Sequence, residues 1–150
     1  MRKLLVILLI SSTFISCKKD SATTTITTPT PNPTAARSFT CTINGAAFTA
    51  DSAWYNNFNA GATNIFATKG SGASLQYFEI NLNAQTTGTY NIPANSFTYI
   101  NATTTYPATA GSLSISTYDV TNRKISGSFT GITAGAVTIT NGAFTNLPYK

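Results

Sequence analysis

Hydrophobic and polar residues alternate with a period of two over most of the chain. In residues 74–83, Phe78, Ile80 and Leu82 alternate with a second set of positions that includes Glu79. A period of two places successive side chains on opposite faces of a β-strand. Because a carboxylate belongs in water, we predict that the three apolar residues form the core face of this strand.

Turn signals separate the alternating segments. Asn44-Gly45 favours the positive φ angles of a type I′ hairpin turn, and Pro93 ends a strand because proline has no amide hydrogen to donate. Asn141-Gly142 can form a turn or a bulge, and residues 102–110, rich in threonine and alanine, are predicted to form a loop. The predicted strands are 39–43, 46–50, 64–69, 74–83, 89–92, 97–101, 112–118, 125–130 and 137–140, and the aromatic stretch 51–58 can continue the sheet after a bend.

The pattern predicts an all-β fold, since about eight to ten short strands follow one another without any sustained helical period. The expected architecture is a single antiparallel β-sandwich or a small barrel, and the pattern does not separate the two. The β domain spans residues 38–150. Its length of about 113 residues is enough to bury a core without disulfides.

The start of the chain has the layout of a signal peptide. A basic pair at residues 2–3 precedes an apolar run at 4–10 that is too short to span a bilayer. The segment 14–17 places a small residue before a cysteine and looks like a bacterial lipobox. We therefore predict a lipoprotein signal peptide over residues 1–16 and acylation of Cys17, as with palmitate. The alternatives are a signal peptide without lipidation and an uncleaved anchor helix.

Lipidated Cys17 and a flexible tether are predicted over residues 17–37. This segment is rich in threonine and proline, and Ile26 is its only sizeable apolar residue. It cannot bury enough surface to offset the entropy of an ordered chain. A tether of this length would let the domain stand tens of ångströms off the membrane.

Charge and chemistry narrow the function classes. The whole chain carries a formal charge of +5, but the domain has four basic and three acidic residues, which argues against nucleic acid as a partner. The chain has no histidine, the commonest general base, and a glycosidase would need two facing carboxylates. We predict no catalytic residue, no metal and no cofactor. The charged residues of the domain are Lys69, Arg123, Lys124, Lys150, Asp51, Glu79 and Asp119.

Cys41 and one aromatic group are the remaining candidates for chemistry. Cys41 has no second thiol to pair with once Cys17 is acylated, so we interpret it as a buried core residue. Trp54, Tyr55 and Phe58 could stack on a sugar ring, with the alternative that these aromatic residues belong to the core or flank it.

Five short motifs follow one another along the chain: Cys-Lys-Lys-Asp at 17–20, Thr-Ile-Asn-Gly at 42–45, Thr-Gly-Thr-Tyr at 87–90, Ile-Ser-Gly-Ser-Phe at 125–129 and Ile-Thr-Asn-Gly-Ala-Phe at 139–144. In this order they resemble a large group of Bacteroidota cell-envelope lipoproteins with an uncharacterised β domain. The resemblance implies an exported lipoprotein on the outer membrane and implies no activity.

The same resemblance bears on export and modification. Acidic residues after the lipidated cysteine resemble a surface-export signal in that group, but here only Asp20 is close, so the periplasmic and surface faces both stay open. The Asp-Ser-Ala sequences at 20–22 and 51–53 resemble an O-glycosylation motif, which makes Ser21 and Ser52 candidate glycosylation sites.

The leading hypothesis is an outer-membrane lipoprotein with a non-enzymatic β domain for binding or envelope interaction. Its partners would be the membrane, through the N-terminal lipid, and a glycan or an envelope protein. The alternatives are a carbohydrate-binding module that uses Trp54 and Tyr55, a lipocalin-like barrel that carries a small apolar ligand, and an enzyme with two converging carboxylates.

Overall fold

The structure is a computed structural model that describes residues 35–57 and 61–150. The predicted signal peptide, Cys17, Ser21 and all but the last three residues of the predicted tether lie outside the described residues. The described part of the chain contains no helix of the length and hydropathy needed to cross a membrane.

In residues 35–57 and 61–150, eleven antiparallel strands form two sheets, and the prediction of an all-β fold is confirmed. The strands are β1 (Ser38–Ile43), β2 (Ala46–Thr49), β3 (Ser52–Asn56), β4 (Thr63–Lys69), β5 (Gln76–Leu82), β6 (Gly88–Ile92), β7 (Ser96–Asn101), β8 (Thr104–Pro107), β9 (Ala110–Asp119), β10 (Lys124–Ala134) and β11 (Val137–Pro148). Sheet A has the order β2-β1-β11-β10-β9-β6, and sheet B has the order β3-β4-β5-β7-β8.

The two sheets share no strand and pack their inner faces together, so the architecture is a sandwich. Aromatic rings span the interface between them. The ring centroids of Phe39 on β1 and Phe78 on β5 are 5.3 Å apart, and those of Phe97 on β7 and Phe129 on β10 are also 5.3 Å apart. In the described residues, these and other buried side chains fill the space between the two sheets, where a lipocalin-like barrel would hold a ligand.

The predicted core face of β5 is confirmed, because Phe78, Ile80 and Leu82 are all buried. Asn44 and Gly45 have φ angles of 48° and 84°, as the hairpin prediction requires. The prediction of a loop over residues 102–110 is wrong, since β8 forms the edge of sheet B there. Pro107 is its last residue, a position where a missing amide hydrogen is tolerated.

Of the two structures predicted for Asn141-Gly142, a turn or a bulge, the chain forms a bulge. The pairing of β1 with β11 shifts register between Thr40 and Thr42, opposite Asn141, whose φ angle is 51°. A second shift between β10 and β11 lies near Asn146, whose φ angle is 48°. Asparagine tolerates this left-handed conformation better than most residues, and such bulges bend a strand. β11 therefore runs through twelve residues as one bent strand.

Candidate functional site

Trp54 lies on the outer face of sheet B, at one end of a row of stacked rings. Its ring centroid is 5.5 Å from that of Phe66 on the neighbouring strand, with an angle of 25° between the planes. Phe66 in turn stacks on Tyr77 at 6.1 Å and 26°. The Lys150 ammonium lies 4.7 Å from the centre of the Trp54 ring. Two neighbours already pack on the Trp54 ring, so a sugar would have to displace one of them to stack on it.

Tyr55 lies on the opposite face of the same strand, which corrects its pairing with Trp54. Only 2% of Tyr55 is exposed, and its ring packs edge-on against Tyr149 at 5.4 Å and Tyr118 at 6.1 Å. Burial raises the pKa of its phenol. Tyr55 therefore belongs to the core and cannot share a ligand platform with Trp54. Phe58, the third predicted aromatic, lies outside the described residues.

The three carboxylates of the domain each accept hydrogen bonds from amide groups. The Gly70 amide donates to Asp51 Oδ2 at 2.8 Å, and the Asn81 side chain donates to Glu79 Oε1 at 3.3 Å. Asp119, at the end of β9, accepts its hydrogen bonds from Asn122 in the turn that follows. Within residues 35–57 and 61–150, no three histidine, cysteine or acidic side chains lie together as a metal site would require.

The turn after β9 is built around the Asp119 carboxylate. The Asn122 backbone amide donates to its Oδ1 at 2.9 Å, and the Asn122 side chain donates to its Oδ2 at 2.7 Å. These bonds, led by the one from the backbone amide, lower the pKa of Asp119. This carboxylate is thus held ionised in a structural role, in the turn that joins β9 to β10.

Cys41 lies on the core face of β1 and is 5% exposed, so its interpretation as a core residue is confirmed. It forms no disulfide in the described part of the chain. Burial raises its pKa from the ordinary value of 9.0 to about 12. A thiol in that state stays protonated at neutral pH, and neither nucleophilic nor metal-binding chemistry is available to it.

The outer face of sheet A carries a shallow groove of about 400 Å³ that sequence reasoning missed. Hydroxyl and amide side chains dominate its walls, and the signal for it was the row of serine and threonine residues that alternate with the core positions of β9 and β10. Such a lining can form hydrogen bonds with a neutral ligand. The groove is lined by Thr89, Ser112, Ser114, Ser128, Phe129, Thr130, Asn141 and Gly142.

Ser52, the described candidate for O-glycosylation, is half-buried near the start of β3 and pairs with Thr68 of β4. The other candidate, Ser21, is not among the described residues. No protein-family model matches the chain, and neither a curated protein nor a solved structure is significantly similar to it.

Proposed function

We propose that this chain is an outer-membrane-anchored lipoprotein, with a lipid on Cys17 and a non-enzymatic β-sandwich for binding or envelope interaction. The observation that carries the proposal is the sequence at residues 1–17, which joins a basic start, an apolar run and a cysteine. The described domain starts at Ala35, so residues 18–34 lie between it and the anchored cysteine. Two or more acyl chains hold a protein stably on a bilayer.

The placement of the polar groups supports the non-enzymatic part of the proposal. Asp51, Glu79 and Asp119 each bond to an amide in a different part of the fold, and none of them lines the hydroxyl-rich groove of sheet A. Since the chain also lacks histidine, the arrangement favours recognition over acid–base chemistry.

The two cysteines of the chain offer a matched test. In cells fed labelled palmitate, we expect the native protein and Cys41→Ala to take up label and to fractionate with the outer membrane. Cys17→Ala should take up none, because the acylated thiol is gone. Label in Cys17→Ala, or fractionation unchanged by that substitution, would contradict the proposal.

Carbohydrate binding is the second candidate, because Trp54 stands half-exposed on sheet B and a hydroxyl-lined groove crosses sheet A. Trp54 is the only tryptophan, so its fluorescence reports directly on its surroundings. Since Phe66 and Lys150 pack on its ring, we expect neutral oligosaccharides to leave its emission unchanged. A saturable change in emission on titration with a neutral oligosaccharide would favour the carbohydrate function instead.

A further inference from the structure

Three of the five basic residues in the described part of the chain lie at one end of sheet A. The start of β1, the start of β10 and the end of β11 meet there, since Ser38 pairs with Thr145 and Lys124 with Pro148. Asp119 precedes the same turn, so this end carries a charge of 3 − 1 = +2, whereas the other charged residues described sum to 2 − 2 = 0. The three basic residues are Arg37, Arg123 and Lys124, whereas the Lys150 ammonium lies over Trp54 on the outer face of sheet B.

The chain joins the domain at this same end, beside a groove of about 390 Å³. Arg37 and Lys124 line the groove together with Ala35, Asn146 and neighbouring residues. The Asn146 side chain donates a hydrogen bond of 2.6 Å to the Ala35 carbonyl, which ties the first described residue to the end of β11. The segment that leads back to Cys17 therefore leaves the domain from its most positive end.

The turn between β9 and β10 adds an apolar tip to this basic end. Val120 is 72% exposed, and it is the one large hydrophobic residue that stands exposed among residues 35–57 and 61–150. It lies in a turn that Asp119 and Asn122 hold together, close in sequence to Arg123 and Lys124. An apolar side chain beside cations suits the boundary between lipid headgroups and acyl chains.

We propose that this end of the sandwich docks on the bilayer that holds Cys17, with its cations on the anionic phosphates and Val120 in the headgroup region. The inference rests on the proposed lipid anchor. Residues 18–34 span at most about 60 Å when fully extended, so an anchored domain stays within reach of the surface. A short tether raises the effective concentration of the docking end at the membrane, which makes a weak contact effective.

The docking can be followed with a fluorescent probe on Val120→Cys. The lipidated full-length protein is placed in vesicles of phosphatidylcholine, with or without phosphatidylglycerol, and labelled with a polarity-sensitive dye. Only the new thiol should react, because Cys41 is buried and Cys17 is acylated. We expect a blue shift and quenching by lipid-borne quenchers only when phosphatidylglycerol is present. Ala136→Cys, in the turn at the other end of β10, is the matched control and should show neither.

Removing basic side chains from the docking end gives a second test of the docking. Each cation near an anionic surface is worth about a fivefold change in binding, so Arg37→Gln with Lys124→Gln should lower the ratio of docked to free protein roughly 25-fold. Lys69→Gln, a charge elsewhere on the domain, should leave the ratio unchanged. Salt at 1 M shortens the Debye length to about 3 Å and should release the docked end.

Two outcomes would overturn the inference, and they are distinguishable. If the protein stays on the vesicles through a carbonate wash, yet the probes on Val120→Cys and Ala136→Cys behave alike, the docking is absent although the anchor holds. If the wash removes the protein, the lipid anchor itself fails, and the docking inference falls with it.

Discussion

Glycine and phenylalanine interlock between β10 and β11. Each strand carries a Gly-x-Phe sequence, and in the antiparallel register Gly127 faces Phe144 while Phe129 faces Gly142. Each ring lies over the glycine opposite: a Cβ added at Gly142 would come within 2.1 Å of the Phe129 ring, and one at Gly127 within 2.6 Å of the Phe144 ring. These motifs are two of the five that suggested the envelope-lipoprotein group, and the structure gives them a packing role.

Gly142→Ala should therefore destabilise the protein by about 1–3 kcal/mol, because a methyl group is forced into a filled space. The free energy of unfolding from urea titration measures the effect. Ala143→Ser, on the exposed neighbouring position, is the control and should change stability by less than about 0.5 kcal/mol. Equal stability of Gly142→Ala and the native protein would contradict the packing role.

The candidate site shows where reasoning from single residues failed. Trp54 and Tyr55 are both aromatic, which suggests a shared platform, yet neighbours in a strand point to opposite faces. The structure places Trp54 outside and Tyr55 in the core. The period of two along the strand already predicts that the two side chains lie on opposite faces of the sheet. The packing of Lys150 on Trp54 could not be predicted, because nearly the whole domain separates the two residues in sequence.

Among the elements, β11 depends most on its irregularities. Asn141 and Asn146 both have positive φ angles, and each marks a register shift with a different neighbouring strand. Asn146 also receives structural support from Ser126, whose hydroxyl accepts a hydrogen bond of 2.9 Å from the Asn146 backbone amide. β11 lies between β1 and β10 in sheet A. Just after its last residue, Tyr149 forms a β-bridge with Tyr55 of sheet B, so the bent strand leads from one sheet to the other.

Substitutions at Asn141 test this use of the left-handed conformation. Asn141→Ala should lower the free energy of unfolding by about 1 kcal/mol, since an alanine Cβ disfavours positive φ. Asn141→Gly should be close to neutral, because glycine adopts this conformation without strain. Thermal or urea unfolding compares the two variants. An alanine variant as stable as the glycine variant would show that the bulge does not need this backbone angle.

Most strands were predictable, because apolar and polar residues alternate clearly wherever one face is buried. β8 was missed since its threonine-rich sequence at the sheet edge carries little of that contrast and ends in Pro107. The order of strands within each sheet was not predictable. β1 pairs with β11 from the far end of the chain, and the alternation of residues within a strand does not indicate which distant strand it pairs with.

At the scale of the whole molecule, one core joins both sheets and raises the pKa of the ionisable groups that it buries. Burial raises the pKa of Cys41 to about 12, and it also raises the pKa of Tyr55 and Tyr99. On the outer face of sheet B, partial burial raises the pKa of Tyr77 to about 12. The unfolded chain releases these protons at lower pH than the folded protein does. Stability should therefore fall as pH rises through the interval between about 9 and 12.

Unfolding measured at pH 8 and at pH 10.5 tests this dependence. The protein should lose stability at the higher pH, and the Cys41 thiol should account for up to about 2 kcal/mol of the loss. Cys41→Ala removes that thiol, so its stability should depend less steeply on pH than that of the native protein. Identical pH dependence in the two proteins would mean that Cys41 ionises as easily in the fold as in the unfolded chain.

The whole-molecule account depends on a lipid at the start of the mature chain. The intact mass of the protein extracted from the outer membrane tests this most directly. We predict a mass that corresponds to a chain beginning at Cys17 with its acyl groups attached. A mass that fits an unmodified peptide, or a chain that still carries residues 1–16, would contradict the account.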